Sequence, residues 1–144
     1  MSETNKALAR RWFEEVWNRK NAATIDEMFH PNGQSKGLPD PDSVIHGPEN
    51  FKQVHRNFLS SFPDLHVSLE ELVAEGELVA EGDWVAVRWV ATMTHLGEGL
   101  GYAPTGKALS MNGSSFTRFQ QGQIMEGWNQ MDFTRLRLQL QNKA

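Results

Sequence analysis

The chain has 144 residues, no cysteine, and a formal charge of −4 from 14 basic and 18 acidic residues interspersed along it. That is the size of one domain, spanning 1–144, which buries about two thirds of its unfolded surface and needs neither disulfides nor a metal to be stable. The composition excludes thiol chemistry and cysteine-based zinc sites, shows no basic stripe for nucleic acid, and holds no window of about 18 uncharged apolar residues to span a membrane.

In chain order, MSETNKALARRW has no apolar run after its charges and is not a signal peptide. A soluble, cytoplasmic protein is expected. Ser2 or Thr4 caps a first helix, on which Leu8, Trp12, Phe13, Val16 and Trp17 recur at helical spacing, and 18–21 ends it. A short helix over 22–29 is stopped by His30-Pro31, because the residue before proline avoids the helical region. Gly33 to Ser43 reads as a loop with room for a short strand, since Pro39 and Pro41 oppose regular pairing. Gly47-Pro48 opens the clearest helix, with proline in its first turn and a stripe of Phe51, Val54, His55, Phe58, Leu59 and Phe62. From Leu65 the period changes to two. Strands are expected over 65–74, 83–95, 109–120 and 123–133, with Gln121-Gly122 as a tight turn. Residues 135–141 read as a strand end or a closing helical turn.

Leu72-Val73-Ala74-Glu75-Gly76-Glu77 is followed at once by the near-copy Leu78-Val79-Ala80-Glu81-Gly82-Asp83. Two copies are too few for a solenoid. Six is even, so the insertion keeps the faces of a strand unchanged, and it reads as a lengthened or bulged hairpin. Helices first and long strands afterwards describe an α+β domain, with a curved antiparallel sheet wrapped as a cone around the N-terminal helices. Five Trp and eight Phe suit either a filled core or the wall of an apolar pocket for a flat ligand.

The candidate wall is Phe13, Trp17, Phe58, Trp89, Met111 and Met125, with Gly113 and Gly127 at inward parity leaving space in the cone. His95 ends an inward strand face beside the glycine-rich stretch 97–101; it is placed either for acid–base work or to fix that loop. The stretch lacks the strand–turn–helix setting of a phosphate cradle and reads as a mobile lip at the pocket mouth. Asp132 is either a displaced base or the cap of the turn starting at Phe133. His55, on an apolar stripe, reads as a core histidine, and no pair of histidines has metal-ligand spacing.

His95 with Gly101-Tyr102-Ala103-Pro104-Thr105-Gly106-Lys107, then Arg118, Gly122-Gln123-Ile124, Glu126, Trp128, Asp132 and Gln139-Leu140, together with His46-Gly47-Pro48 and Phe62-Pro63-Asp64-Leu65, follow a known pattern in order. In these residues the chain resembles the SnoaL-like (ester cyclase-like) polyketide cyclases of the nuclear-transport-factor-two-like superfamily. The resemblance implies a cone with a deep pocket, a homodimer, a hydrophobic small-molecule ligand, and no metal or organic cofactor. Cyclases of that family close a polyketide ring by aldol condensation, which takes a base for the carbon-bound proton and donors for the enolate. Their acid/base aspartate lies three residues before a second aspartate, which falls on Asn129 here, and a nearby histidine falls on Ser115. An amide accepts no proton at neutral pH. Losing a general base costs about 10²–10⁴ in rate.

Three readings follow. The first is a cofactor-independent catalyst of cyclase or isomerase type on a hydrophobic carbonyl compound, in which Asn129 and Ser115 orient the carbonyl and His95 or Asp132 moves the proton, with a hydroxylase-like variant. The second is a non-catalytic binder of an apolar metabolite. The third is a dimeric interaction domain with a filled cone.

Overall fold

The computed structural model describes residues 2–74 and 83–141, so the second copy of the six-residue repeat lies almost wholly outside the described residues. Helix α1 (Ser2–Trp12) runs directly into a π-helical turn over Phe13–Asn18. Then come α2 (Ala23–Met28), β1 (Phe29–Lys36), β2 (Val44–His46), α3 (Gly47–Ser61), β3 (His66–Ala74), β4 (Asp83–Thr94), β5 (Ala108–Gln120), β6 (Gln123–Met131) and α4 (Phe133–Gln141). One six-stranded sheet in the order β2-β1-β6-β5-β4-β3 stays unclosed, with β2 and β3 at its edges.

The α+β architecture is the expected one, and three local differences have physical causes. The stretch 33–43, read as a loop with room for a short strand, supplies the second half of β1, and β2 follows directly after it; β1 pairs parallel with β6 and antiparallel with β2, so the sheet is mixed. Pro31 is tolerated inside β1 because the register shifts between Phe29 and Gln34, and a bulge removes the need for its missing N–H. The end of the chain forms the nine-residue helix α4, started by Asp132, whose side chain accepts the N–H of Arg135 at 2.9 Å.

The π-helical turn brings Phe13, Val16 and Trp17 together on the buried side. It also frees the Val16 carbonyl, to which the buried His55 ring nitrogen bonds at 2.7 Å. His55 thus satisfies a helix carbonyl, and burial pushes its pKa below the ordinary imidazole value. Asn18 then lies beside the edge of β3 like a short strand, its amide donating to the Val67 carbonyl at 3.0 Å and accepting the Val67 N–H at 2.7 Å. Phe62-Pro63-Asp64 does more than end α3. The Asp64 carboxylate accepts the N–H and the hydroxyl of Thr94, both at 2.7 Å, and so fastens the end of β4 to the end of α3.

The connection from β4 to β5 packs on the same helix end. Leu96 and Gly97 donate their N–H groups to the Ser61 carbonyl, and Leu100 donates to the Ser61 hydroxyl. A Cβ at Gly97 would lie 1.8 Å from the Ser60 carbonyl oxygen, and one at Gly99 2.1 Å from that of Asn57. The glycines are there for close backbone approach, and the segment is a fastening of α3 rather than a lip over the cone.

Candidate functional site

The helices and the concave side of the sheet leave a cavity between them. Trp12, Phe13, Trp17, Phe51 and Phe58 approach from the helices, and Trp89, Met93, Met111, Ser115, Thr117, Gly127, Asn129 and Met131 from the sheet. Phe29, Ser35 and Leu38 close the end near β1. The space between the walls, mouth included, is about 750 Å³. A cleft of this size, walled mainly by aromatic and aliphatic side chains, suits a small apolar molecule. The aromatic side is itself ordered, with Trp17 edge-on to both Phe51 and Phe58 at ring distances of 6.1 and 5.9 Å.

Asn129 stands at the floor. Its register partner on β5 is Ser115, while Lys36 and Ser35 on β1 pair with the two residues before it. Both strands therefore present polar groups to its amide. Ser115 donates to the amide oxygen at 2.8 Å; the amide nitrogen donates to the Ser35 hydroxyl and to the Lys36 carbonyl, each at 3.0 Å. The indole N–H of Trp89 donates to Ser115 at 3.1 Å. Gly37, with φ +87°, has no Cβ to strike the Asn129 carbonyl, which would be 2.1 Å away. That close approach brings the Lys36 carbonyl into range. Asn129 thus ties β5, β6 and β1 together, and both of its amide protons are engaged.

Of the residues expected in the wall, Phe13, Trp17, Phe58, Trp89, Met111 and Gly127 line the cavity, as does Ser115, whereas Gly113 and Met125 do not. At Gly113 a Cβ would lie 2.2 Å from the Trp89 ring, so the space that glycine leaves is filled by the indole. Met125 falls where the β5–β6 register shifts, Phe119 pairing with Ile124 and Arg118 with Glu126; the bulge turns Ile124 inward instead. His95 and Asp132 also lie apart from the lining. His95 is fully buried against Phe62, its Nδ1 at 3.3 Å from both the N–H and the hydroxyl of Thr105, and its Nε2 has no hydrogen-bond partner among the described residues. Asp132 is exposed and caps α4. The residues brought together on the floor are Asn129 and Ser115. Ser35 and Thr117 join them unforeseen, because polar residues on a strand give no apolar alternation to read.

No group of three or more potential metal ligands occurs among the described residues, and no helix there is long and apolar enough to cross a membrane.

The sequence profile of the SnoaL-like polyketide cyclases matches residues 7–140. This chain belongs to that family. The fold agrees: a SnoaL-like polyketide cyclase assignment from Jannaschia sp. CCS1 superposes with a TM-score of 0.84 at 20% identity, over 99% of this chain and 94% of that one. AclR, a proposed hydroxylase from Streptomyces galilaeus, gives 0.79 at 26% identity over 97% and 82%. IdmH, a proposed polyketide cyclase from Streptomyces antibioticus, gives 0.73 at 25% over 94% and 96%. No curated protein matches the sequence.

Proposed function

We propose that this member of the SnoaL-like family binds a flat, mostly apolar small molecule bearing carbonyl groups, of polyketide type, and orients it without removing a proton from it. One observation carries the reading. Among the described residues that line the cavity, none has a carboxyl, imidazole, amine, guanidinium, thiol or phenol. The polar groups there are hydroxyls, one amide and three indoles, which form hydrogen bonds but do not act as bases near neutral pH. What such a wall offers a carbonyl compound is desolvation, a fixed orientation and hydrogen-bond donors.

The second reading is catalysis of cyclase or isomerase type without a cofactor, on a substrate whose carbon between two carbonyls is acidic enough to enolise unaided. It is favoured by the likeness to IdmH and AclR, one a proposed cyclase and the other a proposed hydroxylase. Confinement and donors to the enolate oxygen would then supply the rate. In both readings the chain is a homodimer, joined through the outer face of the sheet, where Trp128 and Phe116 are about half exposed side by side.

The test is quenching of tryptophan fluorescence by a panel of anthraquinone-, tetracycline- and steroid-like carbonyl compounds, since Trp12, Trp17 and Trp89 all face the cavity. Saturable quenching at micromolar concentration with the compound recovered unchanged is the expected result. Conversion by the wild-type protein would replace binding with the catalytic reading, and no quenching by any member would overturn both. Asn129→Asp is the companion measurement. Ser115 and Ser35 can both donate to a carboxylate, but the Lys36 carbonyl cannot, and its lone pair favours the protonated acid. We expect binding to persist, and any turnover gained to rise with pH through a pKa above the ordinary aspartate value.

A further inference from the structure

The protons of the hydrogen-bonded chain on the cavity floor can be assigned from its two ends. The Trp89 indole only donates, so Ser115 Oγ accepts there. The Lys36 carbonyl only accepts, which fixes the amide nitrogen of Asn129 on that side and its oxygen toward Ser115. Ser115 therefore gives its proton to Asn129 Oδ1, and the second amide proton goes to Ser35 Oγ. One donor remains. The Ser35 hydroxyl proton has no acceptor among the described residues, although Ser35 is 4% exposed and lines the cavity.

The space beside that hydroxyl is open on one side for a definite reason. Ser35 pairs with Gly127 across β1 and β6, and a Cβ at Gly127 would have a single neighbour within 4 Å, Ser35 Oγ at 3.8 Å. The next residue in the same cross-strand row is Thr117, which also lines the cavity and whose hydroxyl makes no hydrogen bond among the described residues. Ser35, Gly127 and Thr117 thus form a hydroxyl–glycine–hydroxyl row in an otherwise largely apolar cavity.

We propose that this row is the oxygen subsite of the cavity: a ligand carbonyl lies over Gly127 and accepts the Ser35 hydroxyl proton. The proposal rests on the small-molecule reading above and deepens it, by specifying which edge of the ligand must carry oxygen. Trp89, Ser115, Asn129 and Ser35 all donate in the same direction, so each bond polarises the next and the last donor is strengthened. A serine hydroxyl does not ionise near neutral pH, so its part is to hold and polarise the oxygen rather than to move a proton. Ser35 is a binding and positioning residue in this scheme.

The experiment compares anthraquinone with anthracene, which share a flat outline and differ in the carbonyls. Binding is read by tryptophan quenching and the bound carbonyl by its infrared stretch. Wild type should prefer anthraquinone and lower the frequency of one carbonyl band. Ser35→Ala should weaken anthraquinone by about 3- to 10-fold, leave anthracene unchanged and abolish the band shift. Ser35→Thr should restore both. Since Ser35→Ala also leaves an Asn129 proton without its acceptor, Gly127→Ala serves as a second variant. It keeps every bond of the chain, places a methyl over the hydroxyl, and should remove the shift. Equal affinity for the two compounds in wild type, or a band shift that survives both variants, overturns the subsite while leaving the pocket reading intact. No binding of either compound overturns the pocket reading and the subsite with it.

Discussion

At the residue scale, Asn129 and His55 show how one polar side chain inside an apolar domain is retained by its partners. Replacing Asn129 by Ala would strand the Ser115 hydroxyl and the Lys36 carbonyl at once. A buried polar group left unpaired costs about 1–3 kcal/mol, so we expect Asn129→Ala to lose about 2–4 kcal/mol, measured by urea unfolding, whatever the ligand does. His55 makes a different prediction. Burial holds its folded pKa below the ordinary value, so between the two values the unfolded chain binds a proton that the folded chain refuses. Its contribution is therefore complete above about pH 6.5 and is lost as pH falls from there toward the folded pKa. Thermal melts should show Tm falling as pH drops below about 6.5, and His55→Gln, which can still donate to Val16, should flatten that part of the curve. Asp64 acts in a separate window. Its pKa is lowered by the Thr94 hydroxyl and then by the Thr94 N–H, so its loss of stability begins only below about pH 4.

At the scale of elements, glycines that look alike in the sequence do opposite things. Gly97 and Gly113 allow contacts too close for any side chain, against the Ser60 carbonyl and the Trp89 ring respectively, whereas Gly127 leaves the cavity floor open. Gly97→Ala must push backbone against backbone and should cost about 3 kcal/mol, a Tm drop of roughly 10 °C, while Gly127→Ala should change stability little and ligand binding much. This difference also marks how far the site was legible. The helix stripe of Phe51, His55 and Phe58 and the alternation from Val85 to Met93 are strong apolar periods, and these elements form where the sequence places them. β1 was hidden because Gly33, Gln34, Ser35 and Lys36 carry no apolar alternation, and its inward residue is held by cross-strand hydrogen bonds rather than by hydrophobic burial. Met125 was misplaced for a related reason: parity counted along β6 assumes an unbroken register, and a bulge has no local sequence signal. The same holds for His95, whose alternation with Met93 is real but carries it past the cavity into the anchorage of the loop on α3.

At the scale of the whole molecule, the sheet has two faces with different tasks, and neighbouring residues of β6 divide between them. Asn129 points to the cavity, and Trp128 to the outside. There Val44, Lys36, Trp128, Phe116 and Ala86 form one row across five strands, by their register pairs. Trp128 is held in place, Lys36 lying 4.1 Å from its ring centre and Glu126 accepting its indole N–H at 2.6 Å. Trp128, Phe116 and Val44 remain 44%, 47% and 46% exposed. Two aromatics half open to water, rimmed by Lys36, Glu126 and Arg118, have the composition of an interface centre with a charged border. Because a symmetric pair buries the same patch twice, one substitution there acts on both subunits. Sedimentation equilibrium of the wild type should therefore give about twice the 16.3 kDa chain mass, and Trp128→Glu about the chain mass itself. The variant should keep its tryptophan quenching by anthraquinone, since the ligand lies on the opposite face. A wild-type protein of single-chain mass at tens of micromolar would remove the dimer. Loss of quenching together with loss of the dimer would show that the cone needs its second subunit to keep its shape.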